Sequence, residues 1–256
     1  MIRKKRDEVE WLEFELLAER PEVVHGVFLR HGGISPAPYG SLNAGETVTG
    51  DAAEHIFENR QRMLRALNVP RYISGMQVHG DKAVVIDKED QEVGDCDALM
   101  TQRTDVGLLI KHADCQAAIL YDPVHRALAN VHSGWRGNVK NIYAAAINKM
   151  IQAFGTKPAD LLVGISPSLG PDHAEFKNYR TEFPEEFWDF LVRPEYFDLW
   201  AIARYQLEKC GVLPHHIEIA NICTYANRED YFSFRRDKVT GRNATIAMLQ
   251  TSERAT

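Results

Sequence analysis

A chain of 256 residues is long enough for one large domain whose buried core needs neither disulfides nor a structural metal to fold. Hydrophobic residues at 45% and charged residues at 26% are ordinary globular values. The formal charge of −6 argues against a nucleic-acid partner, because domains that bind nucleic acid are normally basic.

The short basic stretch at residues 3–6 is diluted by Asp7, Glu8 and Glu10 and reads as a solvated end. The apolar run from Trp11 to Leu17 is interrupted by Glu13 and Glu15, too polar for a secretory core or a membrane span. Residues 23–30 read as a strand that runs into the glycine-containing loop His31-Gly32-Gly33-Ile34-Ser35-Pro36. Asp51 and Glu54 have capping-box spacing, and residues 52–67 fit a helix that ends before Pro70. Short β-like runs follow at 72–78, 83–86, 106–110, 117–121 and 127–131, with Asp122-Pro123 as the turn between the last two.

Val139, Ile142, Tyr143, Ala146, Ile147, Met150, Ile151 and Phe154 recur at helical spacing, and Gly155 supplies the stop. Residues 161–166 read as another buried strand. Leu199, Ile202, Ala203, Leu207 and Cys210 form a second helical stripe, capped by Asp198 and ended by Gly211. Residues 217–222, 231–234 and 245–249 read as closing strands. Strands clustered in the middle with helices inserted between them favour a layered α/β sandwich over a regular alternating βαβ fold, in a single domain spanning 1–256.

Four cysteines, Cys96, Cys115, Cys210 and Cys223, form no CxxC pair and no dense framework. Reduced thiols and a cytoplasmic location are therefore expected. Cys210 lies on an apolar stripe and reads as a small hydrophobe, and Cys96 and Cys223 also read as structural. His215 and His216 follow Pro214 and read as a solvated turn.

Three segments place a soft ligand where a strand meets a tight turn. They are Gln77-Val78-His79-Gly80, His112-Ala113-Asp114-Cys115 and His132-Ser133-Gly134-Trp135-Arg136-Gly137. Two imidazoles and a thiolate suit zinc, and three protein ligands leave a fourth position for water or substrate. Copper competes for such a set, since it outranks zinc in intrinsic affinity, but the chain has no His-x-His pair for a multicopper centre. The bland alternative is that each is a core or turn residue, which leaves two imidazoles and a thiol at separate turns unexplained.

The segment after His132 admits two readings. It leads into the helix that begins near Val139, so helix N–H groups and Arg136 can cradle a phosphate or carboxylate. Alternatively, Gly134 and Gly137 only permit a tight turn and Trp135 packs in the core. Asp114 can donate or accept a proton or orient a histidine, and His112 is a further candidate for proton handling.

The chain resembles the laccase-domain family, described first as multicopper polyphenol oxidases and later as purine nucleoside phosphorylases. The resemblance runs from about His25 to Leu249. It is carried by His25-Gly26-Val27-Phe28, Gly32-Gly33-Ile34-Ser35, Tyr39-Gly40-Ser41-Leu42-Asn43, Asn59-Arg60, Gln77-Val78-His79-Gly80 and Asp97-Ala98-Leu99. Ala113-Asp114-Cys115, His132-Ser133-Gly134-Trp135-Arg136-Gly137, Phe232-Ser233-Phe234-Arg235-Arg236 and Gly241-Arg242 complete it. The resemblance implies zinc at His79, Cys115 and His132, and a fold similar to the catalytic domain of the cytotoxic necrotising factor toxins. It also implies phosphorolysis of adenosine, inosine and methylthioadenosine, deamination of adenosine, or peptidoglycan-precursor editing. The chain departs from the family pattern at Ser133, where alanine is usual. It departs again at Gly170-Pro171-Asp172-His173-Ala174-Glu175, where members often carry paired cysteines and a tyrosine. Both departures bear on substrate preference and not on the trio.

Two enzymes fit these residues. A zinc-dependent nucleoside phosphorylase would take a small-molecule nucleoside and phosphate, with Arg30, Asn43 and Arg136 holding the anion and Asp114 or His112 managing the proton. A cysteine hydrolase would use Cys115 as nucleophile and His132 as base, and would have no need of His79. A non-catalytic binding protein is the remaining alternative.

Overall fold

The computed structural model describes residues 1–45, 50–89 and 91–251. Two six-stranded mixed sheets carry the architecture. The first runs in the order β1 (Ile2–Arg6), β2 (Val9–Glu13), β3 (Val23–Phe28), β14 (Asn243–Leu249), β7 (Gly107–His112) and β4 (Tyr72–Ile73). The second runs β13 (Ile217–Ile219), β10 (Leu162–Ile165), β8 (Gln116–Asp122), β9 (Ala127–Ser133), β6 (Ala98–Thr101) and β5 (Ala83–Val85). Neighbours are antiparallel except β4 on β7, β13 on β10 and β5 on β6.

Strand periodicity decides how the layers stack, because alternate side chains point to opposite faces. Ile119 and Tyr121 of β8, Leu128 of β9 and Ala247 and Leu249 of β14 meet in one cluster between the sheets. Ala118 and Leu120 of β8, with Ala127, Ala129 and Val131 of β9, face the other way onto helices α4 (Ile142–Phe154) and α6 (Leu199–Lys209). Ile246 and Met248 of β14 pack on helix α2 (Ala53–Leu67). The result is four layers, helix on sheet on sheet on helix, and the expected α/β sandwich is what forms. Asn130, fully buried on the inter-sheet face of β9, joins the two sheets by donating to the carbonyls of Leu108 and Thr245.

Several local expectations are corrected. Residues 3–6 are solvated but not an unstructured end, since they form edge strand β1, whose exposed basic side chains discourage further strand pairing. The capping box at Asp51 does not form: α2 starts one residue later, with Ala52 as N-cap. The Asp51 carboxylate instead accepts from Ser35 Oγ, Asn43 Nδ2, His55 and the Ala52 N–H. The run at 72–78 keeps only two strand residues. Residues 231–234 are not a strand, because Ser233 caps the short helix α7 (Phe234–Asp237). The helix expected from Val139 is two helices, α3 (Trp135–Lys140) and α4, separated by Asn141 in the left-handed conformation at φ 57°. Val139 belongs to α3 and is exposed, while Ile142, Tyr143, Ala146, Ile147 and Met150 of α4 are buried. Each large side chain so buried contributes about 1.5–3 kcal/mol. The stops at Gly155 and the cap at Asp198 are as expected.

His25 on β3 lies between the sheets, stacked on Phe14, and its Nε2 accepts the Phe14 N–H at 2.8 Å. Burial pushes its pKa down to about 4, because an imidazolium there would lose hydration and set a proton against that N–H donor. The neutral ring is therefore fully stabilising above about pH 6.5, the value for an unfolded histidine, and that contribution is lost as pH falls toward 4. Denaturant unfolding at a series of pH values should show an acid loss of about 3 kcal/mol from this residue. The loss should shrink in His25→Gln, which cannot titrate; equal pH slopes in the two proteins would contradict the assignment.

Candidate metal centre

The β8–β9 hairpin builds most of the site. Its register sets Gln116 opposite Ser133 and Ala117 opposite His132, so Cys115, one residue before β8, arrives beside His132 at the end of β9. His79 comes from a separate turn whose φ of 57° is left-handed. The three ligand atoms all lie within 4.8 Å of one another, with Cys115 Sγ 3.8 Å from His79 Nε2. A tetrahedral zinc ion needs its sulfur and nitrogen ligands about 3.3–3.6 Å apart, so this donor set fits a single metal after small side-chain adjustments.

Asp97, fully buried just before β6, organises the trio. Its Oδ1 accepts the His79 N–H at 3.0 Å and lies 2.8 Å from His132 Nδ1. Its Oδ2 accepts the N–H groups of Gly80 at 2.7 Å and Val78 at 3.3 Å. The His132 N–H also donates to the Asp97 carbonyl at 2.6 Å. A proton shared on Nδ1 leaves Nε2 as the free lone pair, which is how a carboxylate fixes the tautomer of a metal-binding histidine.

The surrounding charges favour the thiolate of Cys115 but also a protonated His132, so a metal binding there must displace a proton from that ring. Burial pushes the Cys115 thiol up, but the imidazoles of His132 and His79 outweigh it and bring it to about 6. Burial pushes His132 down, and the negative charge of Cys115 and Asp97 reverses this to about 9. Burial also raises Asp97, and its bonds to His132 and the backbone hold it below the usual carboxylate range. A thiolate near neutral pH is the form that binds metal or attacks carbon.

The trio opens into a cavity of about 640 Å³ at the end of the sandwich where β7 and β9 finish and β8 and β14 begin. Lys111, Arg136, Arg235, Lys238 and Arg242 line it, and Asp114 is the one acidic residue among its described lining. Asp114 takes φ 82°, and its carboxylate accepts from Thr224 Oγ1 at 2.8 Å and from the Arg235 N–H at 2.6 Å. It therefore ties the Cys115 loop to α7.

Both readings of the segment after His132 find support. Trp135 packs against Phe176 and Phe183, as a core residue would. Arg136 is exposed, lines the cavity and rests 4.4 Å over the Trp135 ring, with no hydrogen bond or ion pair to a described residue. The anion cradle expected at the start of a long helix is weakened, since α3 has only six residues and a correspondingly small dipole. Side chains must supply the positive charge instead.

Arg30 and Asn43 do not line the cavity. Arg30 donates from Nε and Nη2 to the Gly40 carbonyl. Asn43, fully buried, accepts the N–H groups of Gly45 and Arg242 and so steadies two residues that do line it. His112 is buried, bonded through Nε2 to Thr245 Oγ1 and pushed down by burial to about 3, so it is neutral. Sequence reasoning singled out neither Asp97 nor the cations Arg235, Lys238 and Arg242 for chemistry. The acid directly before the apolar run Ala98-Leu99-Met100 was a signal for Asp97, because a buried carboxylate must find donors.

The chain matches the family model described as multi-copper polyphenol oxidoreductase laccase over residues 24–250. It is 30% identical over 245 residues to a purine nucleoside phosphorylase of Bacteroides thetaiotaomicron, covering 88% of this chain and 90% of that one. It is 30% identical over 231 residues to the purine nucleoside phosphorylase YfiH of Escherichia coli, covering 86% and 91%. The crystal structure of YlmD from Geobacillus stearothermophilus superposes with a TM-score of 0.86 at 27% identity, covering 97% and 98% of the two chains. That of the hypothetical protein YfiH from Bacillus licheniformis does so with 0.86 at 26%, covering 95% and 97%. No helix among the described residues is long and apolar enough to cross a membrane.

Asp97→Asn keeps the size of the side chain but removes its charge and one lone-pair partner. Metal affinity measured by chelator competition should fall about 10–100-fold, as for other partners of ligating histidines, with the circular-dichroism spectrum retained. Unchanged affinity would show that His132 and His79 are positioned without it.

Proposed function

The chain belongs to the family described as multi-copper polyphenol oxidoreductase laccase, and from that premise we propose a zinc-dependent purine nucleoside phosphorylase, one domain acting in the cytoplasm. The observation that carries this reading is an open His79–Cys115–His132 trio in a cation-lined cavity of about 640 Å³, a size that suits a small polar ligand and an anion together. Relatives bearing the name purine nucleoside phosphorylase support the same class of substrate.

In phosphorolysis an oxygen of phosphate bonds to C1′ of the ribose while the bond from C1′ to the purine nitrogen breaks. The purine leaves with the electron pair and takes up a proton. The chain must hold a dianion against a sugar carbon that gains positive charge. Arg136 holds the phosphate through charge-assisted bonds. Arg30 and Asn43 act at one remove: Arg30 fixes the loop at Gly40, and Asn43 positions Gly45 and Arg242. Asp114 accepts from Thr224 Oγ1 and from the Arg235 N–H, and so fixes Arg235 beside the site. Cys115, His132 and His79 would hold the zinc, which would supply Lewis-acid chemistry to the site. Copper can occupy the same ligands, and adenosine deamination is a second outcome of the same cavity.

One geometric fact favours a second reading. Cys115 Sγ lies within 4.8 Å of a His132 ring nitrogen, and His132 Nδ1 is 2.8 Å from Asp97 Oδ1, which gives the order thiol, imidazole, carboxylate. That is the arrangement of a cysteine hydrolase, the chemistry that a likeness to the necrotising factor fold or a peptidoglycan-precursor editing role would use. His79 separates the two, since only the metal enzyme needs it.

Purified protein should carry about one zinc per chain by elemental analysis, and Cys115→Ala and His79→Ala should each lose it while remaining folded. Full retention in both variants would rule the centre out. Adenosine or inosine with phosphate should yield ribose 1-phosphate by mass spectrometry. Arg136→Ala should lower that turnover roughly tenfold to a hundredfold, mainly through phosphate, with zinc retained. Release of free ribose, or cleavage of an amide substrate by His79→Ala with nucleosides untouched, would transfer support to the hydrolase.

A further inference from the structure

One wall of the cavity is held in place by Asn43 and Asp114 but has no ligand of its own in this reaction. Phe234, Arg235, Lys238 and Arg242 come from α7 and the segment that leads into β14, apart in the chain from both the hairpin of the trio and Arg136. Phe234 is 49% exposed, unusual for a large aromatic ring that has a core available to it. Two cations flank that ring: Lys238 Nζ lies 5.6 Å and the Arg242 guanidinium 5.7 Å from its centroid.

The same cations have no carboxylate bound to them among the described residues. The Lys238 side chain is exposed and makes no hydrogen bond or ion pair with a described residue. Arg242 is partly buried, and its Nη1 donates to the carbonyls of Thr240 and Gly241, leaving Nε and Nη2 free among the described residues. Neither residue nor Arg235 forms an ion pair with a described carboxylate, and Asp114 is already satisfied by a hydroxyl and a backbone N–H. Of the two, Arg242 is held partly out of water, which is unfavourable unless negative charge offsets it; Cys115 and Asp114 lie near enough to supply part of that charge, and Nε and Nη2 stay open to a ligand anion. A half-exposed ring between two such cations is complementary to a flat ring system with an anionic tail, the flat part stacking and the tail meeting the charges.

We propose that the Phe234–Lys238–Arg242 wall is a phosphomonoester subsite, so that the preferred ligand is a purine nucleoside monophosphate and not the neutral nucleoside. The proposal rests on the purine reading of the cavity. Arg136 remains the group for free phosphate, and the wall at α7 takes the phosphate that the nucleotide carries. A neutral nucleoside would leave Lys238 and Arg242 as unpaired as they are without it.

The test is calorimetric titration of the protein as purified, with its metal, in phosphate-free buffer, using adenosine, adenosine monophosphate and inorganic phosphate separately. The monophosphate should bind at least about tenfold more tightly than adenosine, an advantage that shrinks as ionic strength rises. In the double variant Lys238→Met/Arg242→Met the ratio of the two affinities should fall toward one, and Phe234→Ala should weaken both purine ligands together. Equal binding of adenosine and its monophosphate, with inorganic phosphate affinity lost in the double variant, would overturn the subsite and assign these cations to free phosphate. Binding of adenosine with no preference for the monophosphate would refute this inference and leave the nucleoside reading intact. Binding of neither purine would end both.

Discussion

The contact between the Asp97 carboxylate and His132 Nδ1 is the interaction on which the candidate centre depends. A carboxylate with no exposure to water is costly unless its lone pairs are filled, and here three backbone N–H groups and an imidazole fill them. Those donors are the His79 turn and the His132 ring, so the bonds that make the buried charge tolerable also place two of the three candidate ligands. The left-handed backbone at His79 is an uncommon state for a residue with a side chain, and bonds to Asp97 on either side of it hold it there. Ligand geometry thus follows from the satisfaction of one buried charge.

The sandwich explains why the cavity opens where it does. β7 and β14 belong to one sheet and β8 and β9 to the other, and all four present an end to the same side of the molecule. Side chains at or just beyond those ends, Cys115, His132, Arg136 and Arg242 among them, share one space. A net charge of −6 combined with five cations and a single acid among the described lining residues makes this space an electrostatic exception within the chain. Local positive charge in a partly enclosed cleft raises the concentration of anions there, whatever the sign of the whole.

What was legible in the sequence followed from periodicity. The α4 stripe and the apolar runs of β8 and β9 could be read because both faces of these strands are covered, so their burial is nearly continuous. The trio was legible as residue types at turns, but its convergence was not, since 36 residues separate His79 from Cys115 and only the hairpin register and the Asp97 bonds bring them together. The break at Asn141 was hidden because Val139 carries an apolar side chain at the right spacing while facing solvent. The run Tyr231–Phe234 has strand composition, yet the hydroxyl of Ser233 accepting the Arg236 N–H turns it into a helix start. Asp97 was missed because one acid beside an apolar run carries no period, and its importance lies wholly in partners distant in sequence.

X-ray absorption spectroscopy at the metal edge of the purified protein tests the central claim most directly. A mononuclear centre held by Cys115, His79 and His132 predicts one sulfur at about 2.3 Å, imidazole nitrogens at about 2.0–2.1 Å and no metal–metal scattering. A shell of nitrogen and oxygen without sulfur, or a metal–metal vector, would contradict it.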